Sequence, residues 1–280
     1  MIIDAHQHFW RISAPHRLWP TPSEAAIYRD HEAADLLAVA RPAGVGGSVV
    51  VQSQPNEADT AWLLSLAAVE PFILGVVGWT DLAAPDAADR VAELSGRAKL
   101  RGLRPMLQGL DDDAWILRPD VRPALEAMEA HGLVLDALVY ARHLPHLLSL
   151  RERQPGLRVV IDHGAKPPIA SGDIGAWKAA IAPFADHPHV HCKLSGLLTE
   201  GAADQAEADY RAVVDHLMAV FGPDRLVWGS DWPVVNLAGA YETWLRQARS
   251  WIAASGEERD AIFARNAIRL YGLQIEGGLQ

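Results

Sequence analysis

His6 and His8 stand two residues apart in Asp4-Ala5-His6-Gln7-His8. On an extended chain that spacing turns both imidazoles to the same side. Two converging imidazoles can bind a divalent ion or contact a substrate; His-x-His alone also occurs in ordinary surface strands. Asp231, in Trp228-Gly229-Ser230-Asp231-Trp232-Pro233, offers a carboxylate that can bind metal or take a proton from water. Its plain structural reading is a helix cap. His163 is a third imidazole, and its plain reading is a buried, satisfied histidine. A second group is basic: Arg101, Arg104, Lys166 and Lys193. Charges inside strands are costly unless paired. These four therefore suit either an oxygen-rich or anionic substrate, or a developing oxyanion. The structural alternative is ion pairing with Asp136, Asp162 or Asp231. Gln52, Gln54, Gln108 and Tyr140 could bond hydroxyls, with Trp10 and Trp232 as flat walls and Trp19 as a further candidate for the mouth.

These residues acquire a common address from the elements that carry them. Eight short apolar runs occur, at 2–3, 47–51, 72–79, 100–106, 133–139, 157–161, 190–194 and 226–228. Unbroken Val/Ile/Leu runs of this length suit strands buried on both faces, as parallel strands are. Stretches with helical spacing separate them, at 31–40, 57–69, 84–94, 120–130, 142–151, 173–184, 203–221, 239–254 and 257–271, with Asp81 as a candidate cap for the third. Eight such units in 280 residues are the arithmetic of a (β/α)₈ TIM barrel in a single domain over 1–280. A doubly wound open sheet is the second choice, and it lacks a G-x-G-x-x-G turn after the first strand. In a barrel, chemistry sits where strands end and the following loops begin. The Pro- and aromatic-rich segment 11–29 would cover that mouth. No Gly-x-Ser-x-Gly elbow is present.

Composition narrows the partners. Lys plus Arg is 25 against 35 Asp plus Glu, a formal charge of -10. Such a chain is a poor partner for nucleic acid or an anionic membrane, so the expected partner is a small-molecule substrate. Oligomeric state is not legible: Trp244 and Trp251 on outer helices suit a packed core or a subunit contact equally. The one cysteine, Cys192, excludes an internal disulfide or a zinc-thiolate cluster and alternates away from Lys193 into the helix layer. No basic-then-apolar leader and no run of about 18 apolar residues is seen, so the expected location is cytoplasmic.

Four segments together resemble the amidohydrolase superfamily. They are 4–10 (DAHQHFW), 162–167 (DHGAKP), 192–197 (CKLSGL) and 228–233 (WGSDWP). The specific likeness is to its sugar-lactone hydrolase branch, related to 2-pyrone-4,6-dicarboxylate lactonase, and it covers nearly the whole chain. The resemblance implies a barrel hydrolase that opens a lactone ring ester, most simply a sugar lactone in carbohydrate catabolism. It implies that Asp231 is the general base. It places His6, His8 and His163 around the lactone carbonyl, either directly or through one divalent ion, zinc or similar, held with Asp231. It sets Arg101, Arg104, Lys166 and Lys193 against substrate oxygens. Many members carry a histidine or modified lysine ligand at the end of strand 5. Here 133–140 reads LVLDALVY, so a binuclear site is not expected, and related dicarboxylate lactonases work without metal. Two rival readings are a metal-dependent decarboxylase of the same superfamily and a non-catalytic ligand-binding barrel.

Overall fold

The computed structural model describes residues 1–275. The strands are β1 (Ile2–Gln7), β2 (Val45–Val51), β3 (Ile73–Gly78), β4 (Leu100–Leu103), β5 (Val134–Ala137), β6 (Arg158–Ile161), β7 (Val190–Leu194) and β8 (Leu226–Trp228). They pair in parallel and in chain order. At the seam the His8 N–H donates to Trp232 O (2.7 Å) and the Asp231 N–H to His6 O (2.8 Å). Those two bonds close the sheet into a (β/α)₈ barrel, and they put His6, His8 and Asp231 side by side.

Helices α1 (Ala33–Ala40), α2 (Glu57–Val69), α3 (Ala87–Ser95), α4 (Arg122–Ala130), α5 (Leu144–Arg153), α6 (Gly175–Ile181), α7 (Glu207–Phe221) and α8 (Tyr241–Trp251) follow the strands. Then come α9 (Gly256–Asp260), a π-helical turn (Ala261–Arg265) and α10 (Asn266–Tyr271). Both faces of the sheet are buried, which explains why the strands read as unbroken apolar runs. Inward residues Ile3, Ala5, Val49, Val51, Val77, Val134, Val160 and Val227 pack together, with Leu270, Tyr271 and Leu273 against them. Outward residues such as Val50, Val76, Leu135, Val159 and Leu194 pack beneath the helices. Cys192 joins this outer layer, and burial pushes its thiol pKa up. Trp244 and Trp251 are buried in the core.

Several boundaries differ from expectation. β4 and β5 stop at Leu103 and Ala137 rather than at 106 and 139; Pro105 has no N–H to continue the first ladder. α3 starts at Ala87 behind Asp86, and Asp81 instead accepts the Ala83 N–H (3.0 Å). Two features hold 11–29 over the mouth. Trp10 and His31 exchange backbone bonds (3.1 and 2.9 Å). The Gln54 side chain accepts from Leu18 N–H (2.7 Å) and donates to Trp19 O (2.6 Å). Among the described residues no helix is long and apolar enough to cross a membrane.

Candidate active site

A cavity of about 400 Å³ opens at the C-terminal ends of the strands. Its walls include His8, His163 and Asp231, with Arg104, Gln108 and Lys166 as further polar groups and Met106, Leu138 and Val234 as apolar ones. Asp231 Oδ1 is the focus: His8 Nε2 lies 3.4 Å away, His6 Nε2 3.7 Å and His163 Nε2 4.0 Å.

The two β1 histidines reach this point by different means. Inward packing of Ile3 and Ala5 would turn His6 outward under strict alternation, but the β1–β2 register slips between Asp4 and Gln7. His6 therefore faces the interior groups Lys193 and Asp162. Gly229 permits the close approach across the seam: a Cβ there would lie 2.6 Å from His6 Cβ. Asp4 braces the seam, accepting from Ser230 N–H (2.8 Å) and the Tyr241 hydroxyl (3.0 Å).

His163 is delivered by an unusual turn. Residues 163 to 166 all have left-handed backbone, with φ of 53°, 59°, 60° and 50°. Three of these are not glycine, a conformation that persists only where the surroundings enforce it. The Lys166 N–H closes the turn on His163 O (2.9 Å), and Trp177 Nε1 donates to Gly164 O (2.7 Å). Gly196, itself at φ 64°, packs flat on the ring; a Cβ there would sit 2.5 Å from His163 Nδ1. Asp231 is also left-handed, at φ 57°.

Hydrogen bonds set the imidazole protons. His8 Nδ1 is 2.8 Å from Val51 O. A carbonyl only accepts, so the proton sits on Nδ1 and Nε2 presents a lone pair to the cavity. His163 Nδ1 meets Ser195 Oγ at 2.8 Å. His6 Nδ1 meets Lys193 Nζ at 3.0 Å. The ammonium has only donors, so it favours the tautomer with the proton on His6 Nε2, which faces His8 Nε2 at 3.2 Å. Burial, reinforced by Lys193, keeps His6 neutral far below its ordinary range, and burial holds His163 at about 4. Burial opposes ionisation of Asp231, but His163 and the neighbouring imidazoles of His8 and His6 outweigh it and hold the carboxyl below the usual carboxylate range.

The basic group divides. Arg104 and Lys166 line the cavity. Arg104 donates to Gln52 O and contacts Asp162 Oδ2 (3.4 Å), and Lys166 pairs with Glu200 (2.7 Å). Lys193, expected at the mouth, is fully buried beneath it between Asp136 (2.5 Å) and Asp162 (3.1 Å). Its ammonium is paired, as a buried cation must be, and it meets His6 Nδ1 from below rather than the cavity. Burial raises Asp136 to about 6 against the pull of Lys193, whereas Lys193 and His6 overcome burial at Asp162 and hold it well below the carboxylate range. Arg101 is also displaced from the expected place. It is the second residue of β4, so it lies toward the other end of the barrel, bonded to Ala98 O and Leu100 O (2.9 Å each).

Gln52 is buried on Arg104 O (3.0 Å), and Trp232 is buried against Phe9 and His31. Trp10 is buried with its Nε1 on Arg29 O. None of these three lines the cavity, whereas Trp19 and Gln108 do. Tyr140 stands beside it, with Lys166 Nζ 6.0 Å from its ring centroid. Gly196, Glu200, Thr199, Met106, Leu138 and Val234 are participants that sequence reasoning did not single out. Ser195, which the sequence places on strand 7 two residues after Lys193, is the partner of His163.

One nitrogen from each of His6 and His163 and an Asp231 oxygen lie within 4.8 Å of one another. Two ligands of a tetrahedral zinc at about 2.1 Å are separated by about 3.4 Å. The observed spacings and the mixed nitrogen–oxygen donor set therefore fit one divalent ion, with His8 beside it. As a ligand, His6 would carry its proton on Nδ1, where Asp162 Oδ1 lies at 3.5 Å. The end of β5 adds no ligand, since Asp136 is engaged by Lys193 and Tyr271.

The chain matches the family model described as Amidohydrolase over residues 3–273. It is 46% identical to a Burkholderia ambifaria protein named L-fucono-1,5-lactonase, across 99% of this chain and 98% of that one. A Burkholderia multivorans protein of the same name is 37% identical, across 97% and 96%. The crystal structure of a Burkholderia multivorans amidohydrolase with bound zinc is similar at TM-score 0.92 and 37% identity, covering 98% of this chain and 100% of that one.

Proposed function

This chain belongs to the amidohydrolase family, and from that premise we propose that it hydrolyses a sugar lactone, L-fucono-1,5-lactone or a close stereochemical relative. The relatives named for that activity support the substrate class. The observation that carries the mechanism is the convergence of three imidazoles on Asp231 Oδ1 at 3.4, 3.7 and 4.0 Å.

Asp231 is the general base. A water between it and the lactone carbonyl carbon gives a proton to Oδ1 as its oxygen bonds to that carbon. The carbonyl oxygen takes up the displaced electron pair. His6 Nε2–H, set by Lys193, donates to it, and Arg104 Nη1, 3.5 Å from His6 Nε2, adds positive charge. Collapse breaks the ring C–O bond, Asp231 returns its proton to the leaving ring oxygen, and a hydroxy acid results. A divalent ion held by His6, His163 and Asp231 would supply Lewis-acid polarisation of the carbonyl and a more acidic water. Lys166, Gln108 and Tyr140 stand where ring hydroxyls lie, with Trp19 as a flat wall.

The test is acid release from L-fucono-1,5-lactone and a panel of aldonolactones, followed with a pH indicator. Asp231→Asn is expected to lower turnover by about 10²–10⁴-fold with an unchanged circular dichroism spectrum. Retained activity in that variant sinks the base assignment, and no hydrolysis of any lactone sinks the reading.

A further inference from the structure

At the opposite end of the barrel lies a second cavity, of about 510 Å³, whose walls are basic in an acidic protein. Arg158 opens β6, His189 and His191 flank the start of β7, Arg225 precedes β8 and Arg269 comes from α10. Asp224 is the one carboxylate among its lining residues.

The three guanidinium groups are held in place by neutral acceptors. Arg158 Nη1 donates to Leu270 O (2.8 Å). Arg225 donates to Phe184 O (2.8 Å), His187 O (2.9 Å) and Val220 O (2.8 Å). Arg269 Nη2 donates to Asp224 O and Asn266 Oδ1, at 2.9 Å each. Among the described residues, none of the three lies within ion-pair distance of a carboxylate. Backbone dipoles fix their direction without neutralising their charge. Burial disfavours the charged form of Arg158 and Arg225, as expected where no counter-charge is present. His191 adds an orphan: its Nδ1 is buried and has no hydrogen-bond partner.

We infer that this cavity is a binding site for a small multivalent oxyanion, a phosphate or a di- or tricarboxylate. Such a ligand would bring the missing negative charge to three pre-oriented guanidinium groups and an acceptor to the orphaned His191 ring nitrogen. Arg225, whose N–H groups are taken by carbonyls, supplies field. Arg158 and Arg269 keep N–H groups available for direct bonds, and planar guanidinium matches both phosphate and carboxylate oxygens.

The test is isothermal titration of the full chain with inorganic phosphate and with citrate, at constant ionic strength and against chloride. One saturable site with Kd of about 1 mM or tighter is expected. Phosphate alone, citrate alone or both would each support the site and identify its class. Arg269→Gln, at an exposed position remote from the mouth, is expected to weaken binding about tenfold, the loss of one charge-assisted bond, with lactone turnover unchanged. Arg158→Gln is the second variant should the first not fold. The inference is overturned by no saturable binding to the wild type. It is also overturned by equal affinity in both variants, or by competition between anion and lactone, which would place the ion among Arg104 and Lys166 instead.

Discussion

Replacing Gly196 with alanine tests whether packing behind His163 sets the catalytic geometry. Two penalties combine at this position. Left-handed backbone at φ 64° costs an L-alanine about 1–2 kcal/mol. The added Cβ would also meet His163 Nδ1 at 2.5 Å, about 1 Å inside ordinary contact. Ser195 is across the bond that the ring must then break, worth about 1 kcal/mol. The expected stability loss is therefore about 2–3 kcal/mol. A displacement of about 1 Å in a catalytic group lowers kcat by about 10²-fold. Gly172→Ala is the matched control, since Gly172 has φ 71° but nothing within 4 Å of its Cβ position. It should lose only the backbone share, about 1–2 kcal/mol, and keep wild-type turnover. Urea denaturation and steady-state lactone hydrolysis of both variants give the comparison. Gly196→Ala within threefold of wild-type kcat, or equal damage in Gly172→Ala, refutes the reasoning.

Two other perturbations address charge. Lys193→Met would leave Asp136 buried without its cation and Asp162 with Arg104 alone, a loss of about 3–5 kcal/mol; a urea midpoint equal to wild type would contradict that pairing. Burial holds folded His163 at about 4 against 6.5 for an ordinary imidazole, so the unfolded chain binds the extra proton between those values. This group's contribution is present above pH 6.5 and lost as pH falls toward 4, up to roughly 3 kcal/mol. Asp4, which burial raises to about 6, acts in the opposite sense and offsets part of it. With Asp231 also held low, the acid limb of kcat/KM should fall below pH 5, and a limb centred above pH 6 would refute both assignments.

The barrel was legible because strands buried on both faces leave unbroken Val/Ile runs, and each run matched one strand. Within the candidate site, legibility came from strand ends: His6, His8, His163 and Asp231 come together there. The basic group was less legible because a charge within a strand reads alike at either end and at any depth. Arg101 lies within the four-residue β4, whereas Arg104 follows its last residue. Lys193 was separated from the mouth only by its long-range partners Asp136 and Asp162. Met106, Leu138 and Val234 carry no polar signal at all, and loops without periodicity placed them. Even the histidine pair succeeded for a reason that spacing does not contain, the register slip in β1.

The four left-handed residues from His163 to Lys166 amount to a fragment of mirror-image helix written in L-amino acids. Only Gly164 is indifferent to handedness. Glycine at Ala165 would relax the backbone and also enlarge the freedom of the unfolded chain, whereas D-alanine placed there by chemical ligation would relax it alone. Natural variation has no access to the second remedy. Selection for heat resistance and selection for a fixed imidazole therefore act on the same residues in opposite directions, and chirality is what sets them against each other.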